Sequence, residues 1–408
     1  MLHSYACPDC GANPINHRAA RVEVSLEMFF DRIFAPLQWL HRALEIILAH
    51  LHLELLIPPI VTVLSWVGLA KKLHEPQNFD TDRTRVLWQA AKQRHIDLYH
   101  VRLFGKPTSI FVAKYEGRRI VYTHEPRPSG PPSASYDWMD NKSTMINKFL
   151  TAGIPVPKGG ACRTIKEALD IFHKINSTVI AKPVIGSRSR HTIINIATEP
   201  ELIHAFNVAQ EISPWVIIEQ HLEGFVYRAT VIGGEVVGVL RREPANVMGN
   251  GHSNIKQLIV EENKNPLRHG PTFHPLLMDL AAKAELLRQG LTWDSIPKEG
   301  QMIILNSKVG RGEGASNTDV TDQTHPDNIK LFEQIDAFLG DPLVGIDFII
   351  NDITKPWTKQ KNCGVIECNA MPFIDLHHHP LRGQPRDAAG ALWDIVFPES
   401  KIKQFVLH

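Results

Sequence analysis

The stretches Val344-Gly345-Ile346-Asp347-Phe348-Ile349-Ile350 and Val365-Ile366-Glu367-Cys368-Asn369 decide the fold class, because each is a short apolar run typical of a buried β-strand. Asp347 interrupts the first run. Glu367 and Asn369 lie two apart in the second, so their side chains share one face. Burying carboxylates without partners is costly, and Mg²⁺ prefers such oxygen ligands. The sequence therefore predicts a cation site at Asp347, Glu367 and Asn369, the alternative being a charged strand end followed by a turn asparagine.

Residues 136–400, which surround these two runs, alternate between strand and helix patterns. Several neighbouring strands are joined by tight turns such as Gly233-Gly234, and a tight hairpin makes its strands antiparallel. The pattern therefore predicts an α+β or mixed α/β domain rather than an all-parallel sheet. The predicted helices are 141–152, 199–211 and 388–397, and the predicted strands are 178–183, 215–220, 225–232, 235–241, 343–351 and 363–369.

A smaller α/β pattern precedes this domain. Residues 84–94 have helical periodicity, and two β-rich runs flank Glu116-Gly117 as a hairpin. Residues 125–133 contain four prolines and one glycine, which indicates a stiff linker and a domain boundary. The predicted domains are an apolar helical segment over 1–80, a small α/β domain with its linker over 81–135, and the larger domain over 136–400.

Residues 24–70 are the most apolar part of the chain. Their first half mixes aromatic and charged residues as an amphipathic helix does, and residues 55–70 are uncharged but interrupted by Pro58-Pro59. A spanning helix needs about 20 apolar residues. We therefore predict a helical segment that packs against protein or forms a homodimer surface, with weak membrane association as the alternative.

The 408 residues carry a formal net charge of +1, with 44 Lys and Arg against 43 Asp and Glu. A net charge so close to zero produces no overall electrostatic attraction for nucleic acid, so we predict no nucleic-acid partner. Five cysteines are too few for a disulfide scaffold and favour a reducing compartment. A cytoplasmic location is predicted, with peripheral membrane attachment as the alternative.

The N-terminal sequence Cys7-Pro8-Asp9-Cys10 resembles one knuckle of a zinc ribbon. Zinc requires four ligands, and no second cysteine pair follows at ribbon spacing. His3 and His17 are candidates for the two missing ligands. A tail without metal is the simpler interpretation and is favoured from the sequence alone.

Basic residues stand at the ends of the predicted elements. Lys182 ends the strand 178–183 and is followed by the loop Gly186-Ser187-Arg188-Ser189-Arg190-His191, and Lys142 opens the helix 141–152. Small residues let backbone N–H groups approach a phosphate, and arginines neutralise it. The Walker spacing is absent, and the loop alone is typical of a surface turn. The ordered set of basic and acidic residues carries the prediction of an anion site.

That ordered set resembles the ATP-grasp ligases, and most nearly the ATP-grasp part of the cyanophycin synthetases. The matching residues are Lys142, Lys182 with its loop, Val216-Ile217-Ile218-Glu219-Gln220-His221-Leu222-Glu223-Gly224, Asp347, and Glu367-Cys368-Asn369. Further matching stretches are Arg241-Arg242-Glu243-Pro244-Ala245-Asn246-Val247, Asp319-Val320-Thr321-Asp322, Asn369-Ala370-Met371-Pro372, His377 and Pro385-Arg386. The resemblance spans residues 136–398 and implies an ATP-grasp fold, in which two mixed α/β subdomains clasp ATP.

The resemblance also implies a reaction and its residues. It implies ATP-dependent joining of a carboxylate to an amine, through an acyl phosphate, on amino acids or small peptides. The residues implied to bind ATP are Lys142, Lys182, Gly186, Ser187, Arg188, Glu219, Gln220, Leu222 and Glu223. Asp347, Glu367 and Asn369 are implied to hold two Mg²⁺ ions, with Mn²⁺ as an alternative. Lys308, Arg311 and Arg241 are the candidate catalytic cations on the substrate side.

The chain departs from the family pattern at several positions. Val226 stands where many members have an acidic residue for the ribose, and Glu223 is the nearest substitute. Asn306 and Gly310 replace an arginine and an asparagine of the cyanophycin type. No stretch resembles the Mur-ligase-like half of those synthetases, so we expect a single ligase reaction. A γ-glutamyl or glutathione-like ligase and a non-catalytic nucleotide-binding scaffold are the alternatives.

Overall fold

A computed structural model describes residues 7–10, 15–34, 56–129, 133, 135, 138–139, 141–184, 190–270, 272–306 and 314–402. The chain divides into two compact units. Unit 1 comprises Met1–Leu44, Ala134–Phe225 and Asp347–Cys368, and unit 2 comprises Glu45–Ser133, Val226–Ile346 and Asn369–His408. The predicted domain boundaries at residues 80 and 135 stay predictions.

The helices and strands of the described residues follow in chain order. The α-helices are α1 (His17–Phe34), α2 (Ile57–Trp66), α3 (Asp82–Gln93), α4 (Lys142–Thr151), α5 (Ile165–Ile175), α6 (Glu199–Gln210), α7 (Ile255–Glu262), α8 (Leu280–Arg288), α9 (Pro326–Leu339), α10 (Asp375–His378) and α11 (Ala388–Val396). The strands are β1 (Ala70–Leu73), β2 (Asp97–Leu103), β3 (Lys106–Tyr115), β4 (Arg118–Thr123), β5 (Gly159–Cys162), β6 (Val179–Pro183), β7 (Ile193–Ile196), β8 (Val216–Gln220), β9 (Phe225–Ile232), β10 (Glu235–Glu243), β11 (Asn246–Met248), β12 (Met302–Ile304), β13 (Ser316–Asp319), β14 (Leu343–Ile350) and β15 (Gly364–Asn369).

Unit 1 is built on an antiparallel sheet with the strand order β5-β8-β6-β7. Helices α5 and α6 cover it, and each begins with a capping box, Thr164 with Glu167 and Thr198 with Glu201. A capping box satisfies N–H groups that a helix start leaves without partners. The apolar side chains of these helices and strands form one core, which includes Phe206 and Ile218. The local sequence thus fixes both helix starts, and core packing fixes the sheet that carries Lys182.

Unit 2 contains the antiparallel meander β1-β2-β3-β4, against which α3 and α11 pack. Trp393 of α11 is fully buried and donates its indole N–H to the carbonyl of Leu87 at 2.9 Å. Arg94, which follows α3, pairs with Asp394 at 3.0 Å. Helix α11 therefore belongs to the same core as the first part of unit 2.

A five-stranded sheet has the order β13-β10-β9-β14-β15. The division between the units falls inside β14, after Ile346, and again at Cys368 near the end of β15. Strands β9 and β10 form the predicted hairpin, and Gly233 and Gly234 both have positive φ angles, 59° and 89°. Positive φ at both turn positions fits the right-handed twist of a hairpin and favours glycine.

The predicted strands and helices of residues 84–397 are confirmed, with ends that differ by at most three residues. The β3–β4 and β9–β10 hairpins are antiparallel, as predicted, and so is the pairing of β6 with β8. The apolar N-terminal helical segment is not confirmed as a unit. Residues 35–55 lie outside the described residues, and β1, at Ala70–Leu73, pairs with β2 instead of continuing a helix.

Within the described residues, no helix combines the length and the apolar character that a membrane span requires. Helix α1 exposes the aromatic side chains of Phe29 and Phe30. The predicted homodimer surface or weak membrane contact over residues 24–70 therefore stays a prediction.

Gly224 permits a close approach of two chain segments within unit 1. Its φ is +125°, and a Cβ there would lie 2.5 Å from the carbonyl carbon and oxygen of Ile350. We expect Gly224→Ala to lower the free energy of unfolding by about 3 kcal/mol, because backbone strain and a main-chain clash add together. Urea denaturation measures this change.

Gly153 supplies the matched control for this substitution. Its φ is +72°, and the space around its missing Cβ is open. Gly153→Ala should therefore cost only about 1 kcal/mol, the penalty of the left-handed backbone alone. Equal losses in the two variants would contradict the close approach at Ile350.

Candidate functional site

Two lysines of unit 1 lie among three carboxylates. Burial is the main cause that lowers the pKa of Lys142, and the neighbouring positive charge of Lys182 lowers it further. The carboxylates of Glu367, Glu219 and Asp347 oppose this shift. The charges of these four side chains shift the pKa of Lys142 only if they lie close to its ammonium group. The structure therefore brings together five of the predicted site residues in unit 1.

Helix α4 positions Lys142 because its start is fixed by the preceding residue. Asn141 is the N-cap, and its side-chain oxygen accepts a hydrogen bond from the N–H of Thr144 at 3.1 Å. Lys142 is thus the first residue of the helix. The N–H groups of a first turn and a lysine side chain together favour an anion.

Lys182 and Glu219 form an ion pair between β6 and β8. Their side chains are 12% and 4% exposed, so the pair is largely shielded from water. One carboxylate oxygen of Glu219, Oε1, accepts from the ammonium group, and the other, Oε2, is buried with no partner among the described residues. A buried acceptor without a donor is costly, and a bound ligand with an N–H or O–H group would satisfy it.

The segment after β8 is held by its own main chain. The N–H of Gln220 donates to the carbonyl of Lys158 at 2.7 Å, and the N–H of His221 donates to the carbonyl of Thr178 at 2.9 Å. The side chain of Gln220 donates to Asn362 Oδ1 at 2.9 Å. These bonds fix the path of residues 220–222, in which Leu222 is buried, and Glu223 beyond them is exposed.

The acidic residues that opened the sequence argument lie on neighbouring strands. Asp347 is in β14 and only 3% exposed, and Glu367 is half-buried in β15. Asn369 ends β15 and belongs to unit 2. Its side-chain oxygen is buried and has no hydrogen-bond partner among the described residues. The strands that carry Asp347 and Glu367 are therefore neighbours, and the role of these residues and Asn369 as cation ligands stays a prediction.

Within unit 2, Gly345 leaves room beside this asparagine. A Cβ at Gly345 would lie 2.9 Å from Asn369 Oδ1 and 3.3 Å from Arg228 Nη1. Any larger residue would crowd both polar groups. No role was predicted for Arg228, which is buried in β9.

Several predicted site residues cannot be placed. Gly186, Ser187 and Arg188 lie outside the described residues, and so do Lys308 and Arg311.

Arg241 is described in β10 of unit 2, where its guanidinium pairs with the buried carboxylate of Glu243. Glu243 also lies 3.5 Å from Arg382, which in turn bonds Glu262 at 3.0 Å.

Unit 2 also contains polar groups whose roles the sequence did not assign. Arg386 pairs with Asp319 at 2.7 Å and with Asp322 at 2.8 Å. His377 is fully buried and hydrogen-bonds Thr230 Oγ1 at 2.8 Å. Burial lowers the pKa of His377 to about 3, so its ring is neutral at physiological pH. Neither pairing could be read from the sequence, because the partners are far apart in the chain.

Curated relatives match a large part of the chain. The cyanophycin synthetase of Trichormus variabilis is 31% identical over 257 residues, which are 62% of this chain and 28% of that protein. The glutathione biosynthesis bifunctional protein GshAB of Clostridium perfringens is 32% identical over 297 residues, which are 70% of this chain and 38% of that protein. No protein-family model matches the sequence. The chain thus spans less than half the length of the curated relatives it matches.

A solved structure is also similar to this chain. The crystal structure of a bifunctional glutathione synthetase from Pasteurella multocida is similar with a TM-score of 0.62 and 25% identity, over 79% of this chain and 44% of that one. The chain has the ATP-grasp fold. The predicted resemblance to the ATP-grasp ligases, and to the ATP-grasp part of cyanophycin synthetase, is confirmed. ATP-grasp ligases as a class use ATP and Mg²⁺.

Proposed function

We propose that the chain is an ADP-forming carboxylate–amine ligase that acts on amino acids or small peptides through an acyl phosphate. One observation carries the proposal: in unit 1, Lys142 and Lys182 lie beside the carboxylates of Glu219, Asp347 and Glu367. Phosphoryl transfer depends on positioning and charge neutralisation more than on a nucleophilic side chain. Cations for phosphates and carboxylates for metal are the groups this chemistry needs.

ATP would be held by residues of unit 1. Lys142 and Lys182 would contact the phosphates, and the buried Oε2 of Glu219 and the main chain of residues 220–222 would face the adenine. Exposed Glu223 is proposed for the ribose hydroxyls, since Val226 has no polar group. Gly186, Ser187 and Arg188 are proposed to cover the terminal phosphate. Burial of the ammonium groups strengthens their attraction for a polyanion.

The oxygen atoms of the proposed metal ligands suit Mg²⁺. Asp347, Glu367 and Asn369 offer only oxygen ligands, and the buried Oδ1 of Asn369 lacks a partner among the described residues. Mg²⁺ prefers carboxylate oxygens and substrate phosphates. When bound, the metal neutralises charge that develops on the phosphates. We propose two Mg²⁺ ions, which Mn²⁺ would replace.

The proposed reaction uses these ATP-binding and metal-binding residues. A substrate carboxylate oxygen takes the terminal phosphoryl group of ATP; the bond from phosphorus to the ADP oxygen breaks as the new P–O bond forms. The amine nitrogen then attacks the acyl carbon, the C–N bond forms, phosphate leaves and the amine loses a proton. Lys308, Arg311 and Arg241 are proposed to orient the acid and the acyl phosphate. Arg241 is already neutralised by Glu243, so Lys308 and Arg311 carry more of this role.

A glutathione-like ligase is the second candidate. The match to the bifunctional glutathione protein extends over 297 residues, against 257 for the cyanophycin synthetase, and the similar solved structure is a bifunctional glutathione synthetase. Both candidates form an amide through ADP release. Only the substrates separate them.

A substrate screen tests the proposal. Purified protein with ATP and Mg²⁺ is given the proteinogenic amino acids and short acidic peptides, singly and in pairs, and nucleotides are separated by chromatography. We expect ADP, without AMP, only when an acid and an amine are both present. ADP formed with γ-glutamylcysteine and glycine, whose condensation gives glutathione, would favour the second candidate. ATP binding without turnover in the whole screen would favour a non-catalytic scaffold.

A further inference from the structure

Four potential zinc ligands meet at the N-terminal end of unit 1. Cys7 precedes a short 3₁₀ turn that ends at Cys10, His17 is the first residue of α1, and His191 lies far along the chain, just before β7. One ligand atom from each of the four residues lies within 4.8 Å of the others. Within the described part of the chain, no other group of three or more His, Cys, Asp and Glu meets this condition.

The distances fit a tetrahedral ion. Cys10 Sγ lies 3.2 Å from His17 Nε2 and 3.4 Å from His191 Nε2, and Cys7 Sγ lies 3.7 Å from His191 Nε2. Zinc bonds of about 2.3 Å to sulfur and about 2.0 Å to nitrogen place tetrahedral ligand atoms roughly 3.3–3.8 Å apart. Two of the three distances fall in the range of the edges of a Cys₂His₂ site, and the third, 3.2 Å, lies just below it.

Both imidazole rings are oriented from outside the cluster. Nδ1 of His191 lies 2.8 Å from the carbonyl oxygen of Val208, and Nδ1 of His17 lies 3.1 Å from a carboxylate oxygen of Glu211. Carbonyl and carboxylate oxygens only accept, so Nδ1 of each ring is the nitrogen that carries a proton, and in that tautomer Nε2 has a lone pair toward the thiols. Histidine ligands of zinc are fixed in this way by carbonyl and carboxylate partners.

Hydrogen bonds alone do not satisfy all the polar atoms of the four side chains. Cys10 Sγ faces two nitrogen acceptors, His17 Nε2 and His191 Nε2, and a thiol has one proton to donate. Cys10 and His191 are buried, so water does not supply the missing donor. Both thiols are free, so a disulfide does not explain their approach. A cation that accepts all four lone pairs removes the conflict.

The main chain holds the same geometry. The N–H of Cys10 donates to the carbonyl of Cys7 at 3.2 Å, and the N–H of His191 donates to the carbonyl of Asp9 at 3.0 Å. His191 has a φ of 50°, a left-handed conformation that a residue with a side chain rarely adopts. A strained backbone conformation persists only where contacts with the surrounding structure hold the residue in place, as they do at ligand sites.

We propose that Cys7, Cys10, His17 and His191 bind one structural Zn²⁺ ion that ties the N-terminal segment to the residues just before β7. Two sulfur and two nitrogen donors in tetrahedral positions select zinc over the oxygen-preferring Mg²⁺. Four protein ligands leave no position for a substrate, so the role is structural. The sequence identified Cys7, Cys10 and His17, but it paired them with His3, which lies outside the described residues, instead of His191.

His191 stands three residues after Arg188, which the proposed function assigns with Gly186 and Ser187 to the terminal phosphate. Zinc would fix His191, so its removal should raise the KM for ATP more than it lowers kcat. This consequence rests on the proposed function. Zinc content does not, so failure of the metal site and failure of the ligase proposal are separate results.

Metal analysis of the full chain tests the site. Protein is produced with added zinc, purified without immobilised metal, and measured by mass spectrometry for zinc per chain. We expect one zinc per chain in the wild type and in Cys363→Ser, since Cys363 is half-buried and outside the cluster. We expect less than a tenth of that in Cys10→Ser and His191→Gln. Wild-type protein without stoichiometric zinc, or variants that retain it, would overturn the proposal.

Cobalt substitution keeps the test independent of variant folding. Zinc is removed from the wild type with a thiol-specific mercurial and a chelator, and Co²⁺ is added after the thiols are restored. We expect the intense visible absorption of tetrahedral cobalt and a sulfur-to-cobalt charge-transfer band, both lost when zinc is added back. The weak spectrum of octahedral cobalt would contradict the Cys₂His₂ assignment.

Discussion

The Glu367→Gln variant is expected to form ADP about 100-fold or more slowly than the wild type, because an amide is a much weaker Mg²⁺ ligand than a carboxylate. Glu367 lies on β15 next to Asp347 on β14, and both act on the pKa of Lys142. Glutamine keeps the size of the side chain, so the fold should persist. ADP release at saturating ATP, acid and amine measures the effect.

Glu235 provides the matched control for Glu367. It is an exposed glutamate at the start of β10, and Glu235→Gln makes the same chemical change away from the cluster. Its ADP formation should equal that of the wild type. A Glu367→Gln protein with unchanged activity and unchanged Mg²⁺ dependence would refute the metal assignment.

The Lys182→Met variant is expected to lose both stability and ATP affinity. The substitution leaves the carboxylate of Glu219 buried without its ion-pair partner, which should cost about 3 kcal/mol in the free energy of unfolding. It also removes a charge-assisted bond to phosphate, so the Kd for ATP should rise about tenfold or more. Lys174→Met, on the exposed surface of α5, should change neither quantity.

A double variant separates these two effects. Adding Glu219→Gln to Lys182→Met removes the unpaired buried charge, so most of the lost stability should return. The ATP affinity should not return, because the phosphate still lacks its lysine. Calorimetric titration with ATP and urea denaturation measure the two quantities. Recovery of both together would show that Lys182 acts only through the fold.

The sequence predicted the elements of residues 84–397 because their patterns are local. Hydrophobic alternation, the turn at Gly233-Gly234 and the cap at Asn141 each act over a few residues. The cation and carboxylate set could also be predicted, because charged residues stand out at the ends of apolar strands and match a family pattern. Those residues do meet around Lys142.

Contacts between distant parts of the chain could not be predicted. The partner of Lys182 was not evident, because Glu219 reaches it through the pairing of β6 with β8. His191 follows a loop with no histidine or cysteine nearby in sequence, so its approach to Cys10 required the fold of unit 1. Arg241 was predicted to orient the substrate; the structure pairs its guanidinium with the buried carboxylate of Glu243, two residues away, and its role toward the substrate stays a prediction.

Transfer of oxygen from the acid substrate to phosphate tests the central claim most directly. An acid found in the screen is prepared with ¹⁸O in its carboxylate and incubated with ATP, Mg²⁺ and the amine. The account predicts one ¹⁸O atom in the released inorganic phosphate, because a carboxylate oxygen attacks the terminal phosphorus and later leaves with it. Unlabelled phosphate together with amide product would contradict an acyl phosphate, and label in AMP would show an acyl adenylate instead.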